Sequence, residues 1–439
     1  MLFVVNEVAH YGEFKKILTS AKIRSSIDHV ILFDRDGYDP YLLFSREIKD
    51  CQANGFNFTT LYRSTPQNKV GHSRIVRQVI AYKNKIQDLK IFFKNHQITS
   101  IVLGEENILM DTFLYKKSLG SGKCFVYPYT IPNPKEMAGG AAFFTSKYTF
   151  LGFLLFVFGG RFTKTFRQNI FLLISPYKIF AMFLVGYFPR RPWILNADTA
   201  DLVCIESQKM ADLYKKIGVQ KSRLSVIGTI NDDILAEIMT EKLIRKTAFQ
   251  KKYGLPEKPM ILVGFPPNQY PIKSAEKANY AELMTSWAES LRPFLGQYNI
   301  VVTKHPRTTQ NFDSMLQMGF VVAAESTVEL IPLASLYIAS VSATIRWALA
   351  AGVPVINYDT YQYKYGDYEN AIGVSNLYSE IEFKKELLHI LNDSSYYSDW
   401  VERLAQEATL WGVLDGKAAD RFLGLFNLAN SKGDSSASS

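Results

Sequence analysis

Short runs of apolar and β-branched residues recur along this chain, separated by stretches in which apolar residues have helical spacing. Strands that alternate with helices are typical of parallel sheets, because each crossover between parallel strands needs a long connection. In the first half, the predicted strands are Leu2 to Asn6, His29 to Phe33, Phe58 to Leu61 and Ser100 to Leu103. The pattern predicts an α/β protein with doubly wound parallel sheets.

The same alternation starts again in the second half of the chain. Its predicted strands are Met260 to Gly264, Asn299 to Lys304, Phe320 to Ala323, Leu336 to Ala339 and Val353 to Asn357. A chain of 439 residues exceeds what one hydrophobic core usually organises. We therefore predict two Rossmann-like domains that face a cleft, with ligands at the carboxyl ends of the strands.

The domain boundaries follow from composition. The first domain is predicted over residues 1–240 and the second over 255–400, with the charged stretch Glu241 to Lys252 as the passage between them. Helices within residues 401–430 are expected to pack back on the first domain. Residues 431–439 are rich in serine and are predicted to be a disordered tail.

Residues 137–197 contain no Asp or Glu, although the whole chain has a net charge of +9. Its cations are Lys147, Arg161, Lys164, Arg167, Lys178, Arg190 and Arg191. They flank two apolar runs, Phe150 to Gly160 and Ile170 to Phe188. The first run is too short to cross a bilayer, and Pro176 and Lys178 interrupt the second.

This composition favours an inserted helical segment that lies on an anionic membrane surface. The residues expected to face the headgroups are Arg161, Lys164, Arg167, Arg190, Arg191 and Trp193. A buried helical hairpin and a membrane-spanning helix are the alternatives. No nucleic-acid-binding motif occurs, so nucleic acid is not expected as a partner.

The N-terminus lacks the basic and long apolar regions of a signal peptide. Cys51, Cys124 and Cys204 are odd in number and lack metal-ligand spacing, which favours reduced thiols. We therefore expect the protein at the cytoplasmic face of a membrane, with no metal site.

The predicted strand from Asn299 runs directly into Lys304-His305-Pro306-Arg307. Because proline ends the strand, Lys304, His305 and Arg307 are expected at the carboxyl edge of the sheet, where a phosphate would bind. An imidazole can donate to a phosphate oxygen and, when protonated, offset charge on a leaving group. A histidine that only caps the turn is the alternative.

Two further polar segments follow within forty residues. Glu329 begins an E-x-x-P sequence that ends at Pro332, and Ser340, Ser342 and Thr344 precede a predicted helix. Hydroxyl groups and free N–H groups at a helix start attract an anion, although serine and threonine also cap helices without any ligand. Glu329 could accept hydrogen bonds from a ribose, or be an ordinary glutamate at a helix start.

Together, KHP, E-x-x-P, S-x-S and the G-x-P strand at Gly352 to Pro354 resemble the nucleotide-binding half of bacterial sialyltransferases, polysialyltransferases and Kdo-transferases. These enzymes have the two-domain GT-B fold, and the resemblance covers Asp198 to Asp359. It implies that His305 serves the donor phosphate and Glu329 the nucleoside. It also implies that Ser340 and Ser342 hold the phosphate and that the donor is a CMP-activated acidic sugar.

The same family places an acidic pair after a strand of its first domain, and Glu105 and Glu106 follow Ser100 to Leu103 here. A carboxylate at this place could take the proton of an acceptor hydroxyl. The usual pattern has glycine after the acids, whereas Asn107 follows here, so the choice of base stays open. Two solvated glutamates at a helix start are the alternative.

Other candidates have simpler explanations. Asp34-Arg35-Asp36 imitates a metal-binding DxD sequence, but a turn explains it, and Asp232-Asp233 is no more specific. His10 follows the first strand and is expected at the edge of the sheet. The tyrosines that follow the strand at Val353 could line the ligand site or pack against it; they are Tyr358, Tyr361, Tyr363, Tyr365 and Tyr368.

These observations predict an inverting glycosyltransferase that needs no cofactor or metal and acts on a glycan or glycolipid acceptor in bacterial surface polysaccharide synthesis. The catalytic residues would be Glu105 or Glu106 together with His305. A nucleotide-sugar epimerase of the same fold, a transferase that uses a UDP or GDP donor, and a non-catalytic membrane scaffold are the alternatives.

Overall fold

The computed structural model describes residues 1–35, 38–61, 73–128, 160–166, 169–271, 275–305 and 310–425. The chain forms two compact units. The first contains Met1–Ile205, Ala211–Val226 and the described residues from Ala419 onward, and the second contains Glu206–Met210 and Ile227–Ala418.

A parallel sheet of seven strands forms the centre of the first unit, in the order β3-β2-β1-β4-β5-β8-β9. The strands in chain order are β1 (Leu2–Val5), β2 (Val30–Phe33), β3 (Phe58–Thr60), β4 (Ser100–Leu103), β5 (Lys123–Val126), the hairpin strands β6 (Thr163–Phe166) and β7 (Asn169–Leu172), β8 (Leu202–Ile205) and β9 (Leu224–Val226). Residues of β1 and β4 are buried throughout, as expected for a sheet covered on both faces.

The helices of this part of the chain cover the sheet. They are α1 (Val8–Thr19), α2 (Ala21–Ser26), α3 (Pro40–Leu43), α4 (Ser45–Ala53), α5 (Arg74–Asn95), α6 (Phe113–Leu119), α7 (Pro176–Leu184) and α8 (Gln208–Lys216). Helix α5 begins where the Ser73 hydroxyl accepts a hydrogen bond from the backbone N–H of Val76, at 3.3 Å.

The segment predicted to be helical contains an antiparallel hairpin. Strands β6 and β7 pair from Thr163–Leu172 to Phe166–Asn169. The prediction of helices was wrong here, because threonine, isoleucine and phenylalanine favour extended backbone over helix. Only α7 is helical in the second apolar run. Within the described residues, no helix combines the length and the apolar character that a membrane-crossing segment requires.

The second unit contains another parallel sheet, with six strands in the order β12-β11-β10-β13-β14-β15. These strands are β10 (Met260–Gly264), β11 (Asn299–Thr303), β12 (Val321–Val322), β13 (Leu336–Ala339), β14 (Val355–Tyr358) and β15 (Val374–Leu377). The core beside the sheet contains Trp287, whose ring stacks on Tyr358 with centroids 5.4 Å apart. Aromatic contacts of this kind bury a large apolar area.

The helices of the second unit follow the same alternation. They are α9 (Ile230–Thr240), α10 (Lys242–Tyr253), α11 (Tyr280–Leu291), α12 (Asp313–Gln317), α13 (Thr327–Leu330), α14 (Thr344–Ala350), α15 (Glu380–Asn392) and α16 (Ser394–Trp411). The charged stretch from Glu241 to Lys252, expected to be a passage between domains, is almost entirely α10 and lies within the second unit. Beyond α16, the ring of Phe422 packs against Tyr127 of the first unit, with centroids 5.8 Å apart.

Both sheets are doubly wound, which confirms the predicted α/β class. In the first sheet, β2 and β4 lie on opposite sides of β1. In the second, β11 and β13 lie on opposite sides of β10. An open parallel sheet usually binds its ligands at the carboxyl ends of the strands where the order reverses. The fold therefore defines one candidate site in each unit.

Candidate functional site

The carboxyl ends of four strands in the second unit lie at one level of the sheet. Gly264 of β10 pairs with Thr303 of β11 and with Ala339 of β13, and Ala339 pairs with Asn357 of β14. The segments that follow these residues therefore leave the sheet at the same edge. We call this edge the donor edge.

Two of the predicted donor residues follow β11 directly at the donor edge. Lys304 is exposed, and its Nζ lies 5.3 Å from the centroid of the Phe312 ring. His305 is half-buried. Pro306 and Arg307, which complete the predicted turn, lie outside the described residues. A lysine and a histidine at this place provide N–H donors for a phosphate oxygen.

The turn after β13 has an unusual backbone. Ser340 is 7% exposed, and its Oγ lies 3.3 Å from Oγ1 of Thr360. Val341 has a φ of +44°, a region that β-branched residues rarely occupy. Its backbone N–H donates to Oδ1 of Asn357 at 2.8 Å. Strained backbone of this kind persists only where its surroundings enforce it, and it is common at ligand sites.

Hydroxyl groups line the start of α14. Oγ of Ser342 lies 2.7 Å from Oγ1 of Thr344, which lies 2.6 Å from the hydroxyl of Tyr337. A Cβ at Gly264 would lie 2.6 Å from that tyrosine hydroxyl, so the last residue of β10 leaves the space that Tyr337 needs. The structure thus brings the three predicted residues Ser340, Ser342 and Thr344 to the same edge as Lys304.

Glu329 caps the helix in which it lies. Its Oε2 accepts hydrogen bonds from the backbone N–H and the hydroxyl of Ser326, at 2.8 and 2.6 Å. This is a capping box, the ordinary role of a glutamate at a helix start. Helix α13 begins beside the donor edge, because Oγ1 of Thr327 donates to Oγ1 of Thr303 at 3.1 Å. Pro332 is buried in the turn that follows α13.

The five tyrosines between Tyr358, the last residue of β14, and Tyr368 divide into two groups. Tyr358, Tyr361 and Tyr368 are buried and belong to the packing of the second unit. Tyr363 and Tyr365 are half-buried, and their rings stack with centroids 5.0 Å apart and an interplanar angle of 10°. Only the second pair is exposed enough to face a ligand.

A buried ion pair anchors the helix that begins at the donor edge. Nη1 of Arg346 in α14 lies 2.8 Å from Oδ1 of Asp232 in α9, and it donates to the carbonyl of Trp411 at 3.0 Å. Oδ2 of Asp232 accepts from the backbone N–H of Thr229 at 2.7 Å. Asp232 is therefore a structural residue, which agrees with its rejection as a catalytic candidate from the sequence.

The candidate site of the first unit lies where β1 and β4 end. His10 in α1 is fully buried, and its Nδ1 accepts from the backbone N–H of Asn6 at 3.4 Å. A Cβ at Gly104 would lie 2.3 Å from Cδ2 of the His10 ring. The absence of a side chain at Gly104 therefore lets His10 pack against the start of the segment that carries Glu105 and Glu106.

The carboxylate of Glu106 is bound by several hydrogen-bond donors and lies close to an arginine. Its carboxylate accepts hydrogen bonds from the backbone N–H and the hydroxyl of Thr199 and, at 3.0 Å, from the backbone N–H of Ala200. Arg223 lies 3.7 Å away. Burial raises the pKa of Glu106, whereas the hydrogen bonds and the arginine act in the opposite direction. The carboxylate therefore connects β4 to the segment that precedes β8.

Glu105 is buried as well, at 4% exposure, but it is held differently. Its Oε1 accepts a hydrogen bond from Nδ2 of Asn107 at 2.9 Å. Oδ1 of Asn107 in turn accepts from the backbone N–H of Leu109 at 2.9 Å. Asn107, the residue that departs from the family pattern, thus orients Glu105. The alternative of two solvated glutamates is wrong, because both are buried.

Asp34 takes part in a buried network after β2. Its Oδ2 lies 3.0 Å from Nζ of Lys85 and 2.5 Å from the hydroxyl of Tyr115. Nδ2 of Asn6 donates to that tyrosine oxygen at 3.0 Å. The DxD-like sequence therefore supplies an ion pair that joins the sheet to α5, while its second aspartate, Asp36, lies outside the described residues.

Sequence reasoning missed several residues that shape the two sites. Gly264 and Asn357 were predicted only as strand residues, and Lys85 was not singled out. A glycine or an asparagine at the last positions of a buried strand was a usable signal for the first two. No local signal identifies the ion pair of Lys85, because it depends on the packing of α5 against the sheet.

We expect the stability of the protein to fall as the pH is lowered from about 6.5 to about 3, with His10 as one cause. Burial, assisted by the charge of Arg35, lowers the pKa of His10 from 6.5 to about 3. The unfolded chain therefore takes up a proton in this range that the folded chain does not, at a cost of about 2 kcal/mol by pH 5. Urea unfolding of wild type and His10→Gln at several pH values measures this loss of stability.

The stability difference between wild type and His10→Gln is expected to shrink as the pH falls. His96, an exposed residue directly after α5, gives the matched control His96→Gln. A constant difference between wild type and His10→Gln across the range would contradict the assignment.

The residues predicted to face a membrane occupy different environments. Arg161 and Arg190 are exposed, whereas Arg191 is half-buried. Nε of Arg191 lies 3.3 Å from the position that a Cβ atom would take if Gly218 had one. Trp193 is 4% exposed and belongs to the core of the first unit, so the structure removes it from any lipid-facing surface. The side chain of Lys164 and all of Arg167 lie outside the described residues.

No family model and no curated protein matches this sequence. Solved structures do match. A variant of the wall teichoic acid polymerase TagF shares 12% identity at a TM-score of 0.55, covering 99% of this chain and 89% of that chain. S. aureus MnaA, in a structure with UDP, shares 9% identity at a TM-score of 0.52, and the match covers 96% of this chain and 94% of MnaA. A candidate UDP-N-acetylglucosamine 2-epimerase from Listeria monocytogenes shares 10% identity at a TM-score of 0.51, and the match covers 98% of this chain and 96% of that chain.

At sequence identities this low, the structural similarity shows the fold alone. The chain has the two-domain GT-B fold, which confirms the predicted fold class.

Proposed function

We propose that this chain is a glycosyltransferase that moves a sugar from a nucleotide donor to a glycan or glycolipid acceptor. The observation that carries the proposal is the convergence of Lys304, His305 and the hydroxyls of Ser340, Ser342 and Thr344 at the donor edge. The strand order of the second sheet reverses at β10, whose carboxyl end lies at this edge, and open parallel sheets usually bind their ligands at such a place.

The donor phosphate would be bound by Lys304 and His305, which follow β11, and by the turn after β13. Lys304 and His305 would supply N–H donors, and the hydroxyl of Ser342 would supply a further hydrogen bond. Positive charge at this place stabilises the negative charge that develops on the leaving phosphate. The turn is held in shape by the contact between Val341 and Asn357 and does not need to be ordered by the ligand.

We propose Glu105 as the base that activates the acceptor. The acceptor oxygen would form a bond to the anomeric carbon while the bond from that carbon to the donor phosphate breaks. The hydroxyl proton would pass to the Glu105 carboxylate, and the nucleotide would leave with the electron pair. Glu106 is unsuited to this role, because its carboxylate is occupied by Thr199, Ala200 and Arg223.

The nucleotide of the donor is the finer part of the proposal. The resemblance of KHP, E-x-x-P and S-x-S to sialyltransferases and Kdo-transferases favours CMP. Among solved structures of similar fold, MnaA was determined with UDP, and a further TagF structure, at 11% identity and a TM-score of 0.52, with CDPG. We therefore place CMP first and keep CDP, UDP and GDP donors in every test.

A nucleotide-sugar epimerase is the second candidate, favoured by the similarity to MnaA and to the Listeria structure over nearly the whole of both chains. An epimerase acts on the sugar of its nucleotide substrate without any acceptor. Dependence on an acceptor therefore separates the two functions.

Purified protein incubated with CMP-, CDP-, UDP- and GDP-linked sugars, with and without a glycolipid extract of bacterial membranes, tests the proposal. We expect nucleotide release that depends on the extract and that persists in EDTA, because Lys304 provides positive charge and His305 an N–H donor at the phosphate. Conversion of the donor sugar without extract would favour the epimerase. The absence of turnover with all four donors in both conditions would overturn the proposal.

A further inference from the structure

An apolar surface of the first unit is exposed at the end of α7. Leu184 is 64% exposed and Phe188 is 62% exposed. Neighbouring residues Ile179, Ala181 and Met182 are buried, so α7 is attached to the unit by its opposite side. The exposed residues therefore do not reflect a loosely packed helix.

Aromatic contacts keep this surface in place. The ring of Phe188 stacks on Phe183 with centroids 5.0 Å apart and an interplanar angle of 18°. The ring of Phe183 in turn contacts the fully buried Phe162, at 6.0 Å. The neighbouring Tyr187 stacks on Phe113 of α6 at 4.1 Å. The exposed ring thus projects from a fixed aromatic base.

Cations surround the apolar residues. Nη1 of Arg161 donates to the carbonyl of Pro189 at 3.2 Å, directly beside Phe188, and Arg190 follows in the chain. Nζ of Lys117 lies 3.5 Å from the Cβ position of Gly186. All three cations are exposed. Two acids of the described residues lie near these cations: Asp198 accepts from the backbone N–H groups of Arg190 and Arg191, and Asp111 pairs with Lys178.

We propose that this surface, formed by Leu184, Phe188, Lys117, Arg161 and Arg190, binds the headgroup region of an anionic lipid bilayer. Exposed apolar side chains enter the boundary between headgroups and acyl chains, while cations beside them bind the lipid phosphates. The excess of exposed positive charge is the feature that selects anionic lipid over a second protein surface of mixed charge. The inference concerns a lipid partner and stands whether or not the proposed sugar transfer is correct.

Cosedimentation of the full chain with lipid vesicles tests the proposal. We expect binding to vesicles of phosphatidylcholine mixed with phosphatidylglycerol, weaker binding to phosphatidylcholine alone, and a loss of binding as salt is raised. The variant Leu184→Ser/Phe188→Ser should lower the partition coefficient by about tenfold or more, because two apolar side chains no longer enter the lipid. Lys117→Gln/Arg190→Gln should lower it by roughly fivefold or more for anionic vesicles only.

The chain provides a matched control. Leu243 and Ile244 of α10 are 77% and 73% exposed, so Leu243→Ser/Ile244→Ser removes as much exposed apolar surface from the second unit. This variant is expected to bind vesicles like wild type, and thermal unfolding should be nearly unchanged in all three variants. An equal loss in the control, a loss in the control alone, or no binding of wild type to anionic vesicles would overturn the proposal.

Discussion

Glu105→Gln is expected to lower kcat by about 10²–10⁴-fold, because an amide cannot take the proton of the acceptor hydroxyl. The amide oxygen of glutamine can still accept the hydrogen bond from Asn107, which holds Oε1 of Glu105 at 2.9 Å. Initial rates with saturating donor and acceptor measure the effect, and a thermal unfolding curve shows that the variant is folded.

Glu106→Gln is the matched variant, and its expected effect is on stability. The amide NH₂ group would face one of the donors that the carboxylate now accepts from, either Thr199 or Ala200. A buried donor without an acceptor costs about 1–3 kcal/mol. A large rate loss in Glu106→Gln with unchanged stability, together with an active Glu105→Gln, would contradict the assignment of the base.

Arg346→Met is expected to lower the free energy of unfolding of the second unit by about 3–5 kcal/mol, because it leaves a buried carboxylate without its cation. Asp232 is fully buried, and Arg346 is 4% exposed. Arg346 also donates to the carbonyl of Trp411, so one substitution loosens α14 from both α9 and α16. Since α14 begins at the donor edge, nucleotide binding should weaken as well.

Urea unfolding followed by tryptophan fluorescence measures this loss. Four of the five tryptophans lie in the second unit, namely Trp287, Trp347, Trp400 and Trp411. The control is Arg403→Met, because Arg403 and Asp399 form an exposed pair at 3.0 Å in α16, and exposed pairs contribute about 0–1 kcal/mol. Equal effects of the two substitutions would contradict the role of the buried pair.

The strands that carry the two sites could be predicted closely from the sequence. Leu336–Ala339 and Met260–Gly264 are short, uninterrupted apolar runs that end in small residues, a pattern typical of a buried strand in a parallel sheet. Strands β5 and β15 were missed. Val374–Leu377 contains a serine and an asparagine, and Lys123–Val126 begins with a lysine, so neither has the apolar pattern of a buried strand.

The details of the sites depend on contacts between residues far apart in the sequence. The sequence placed Lys304 and Ser340 at strand ends, but only the pairing of β10 with β11 and β13 brings them to one edge. Likewise, the sequence alone cannot distinguish the roles of Glu105 and Glu106, which are adjacent glutamates after the same strand. Their different roles appear only when Thr199 and Ala200 reach one carboxylate and Asn107 reaches the other.

Thermal unfolding with CMP, CDP, UDP and GDP at matched concentrations tests most directly whether the donor edge binds a nucleotide, since a ligand bound by the native state alone raises stability. We expect a rise in the unfolding temperature, largest with CMP, that is lost in His305→Ala and kept in the control His96→Ala. No rise with any of the four nucleotides, or a rise that His305→Ala leaves unchanged, would contradict the account.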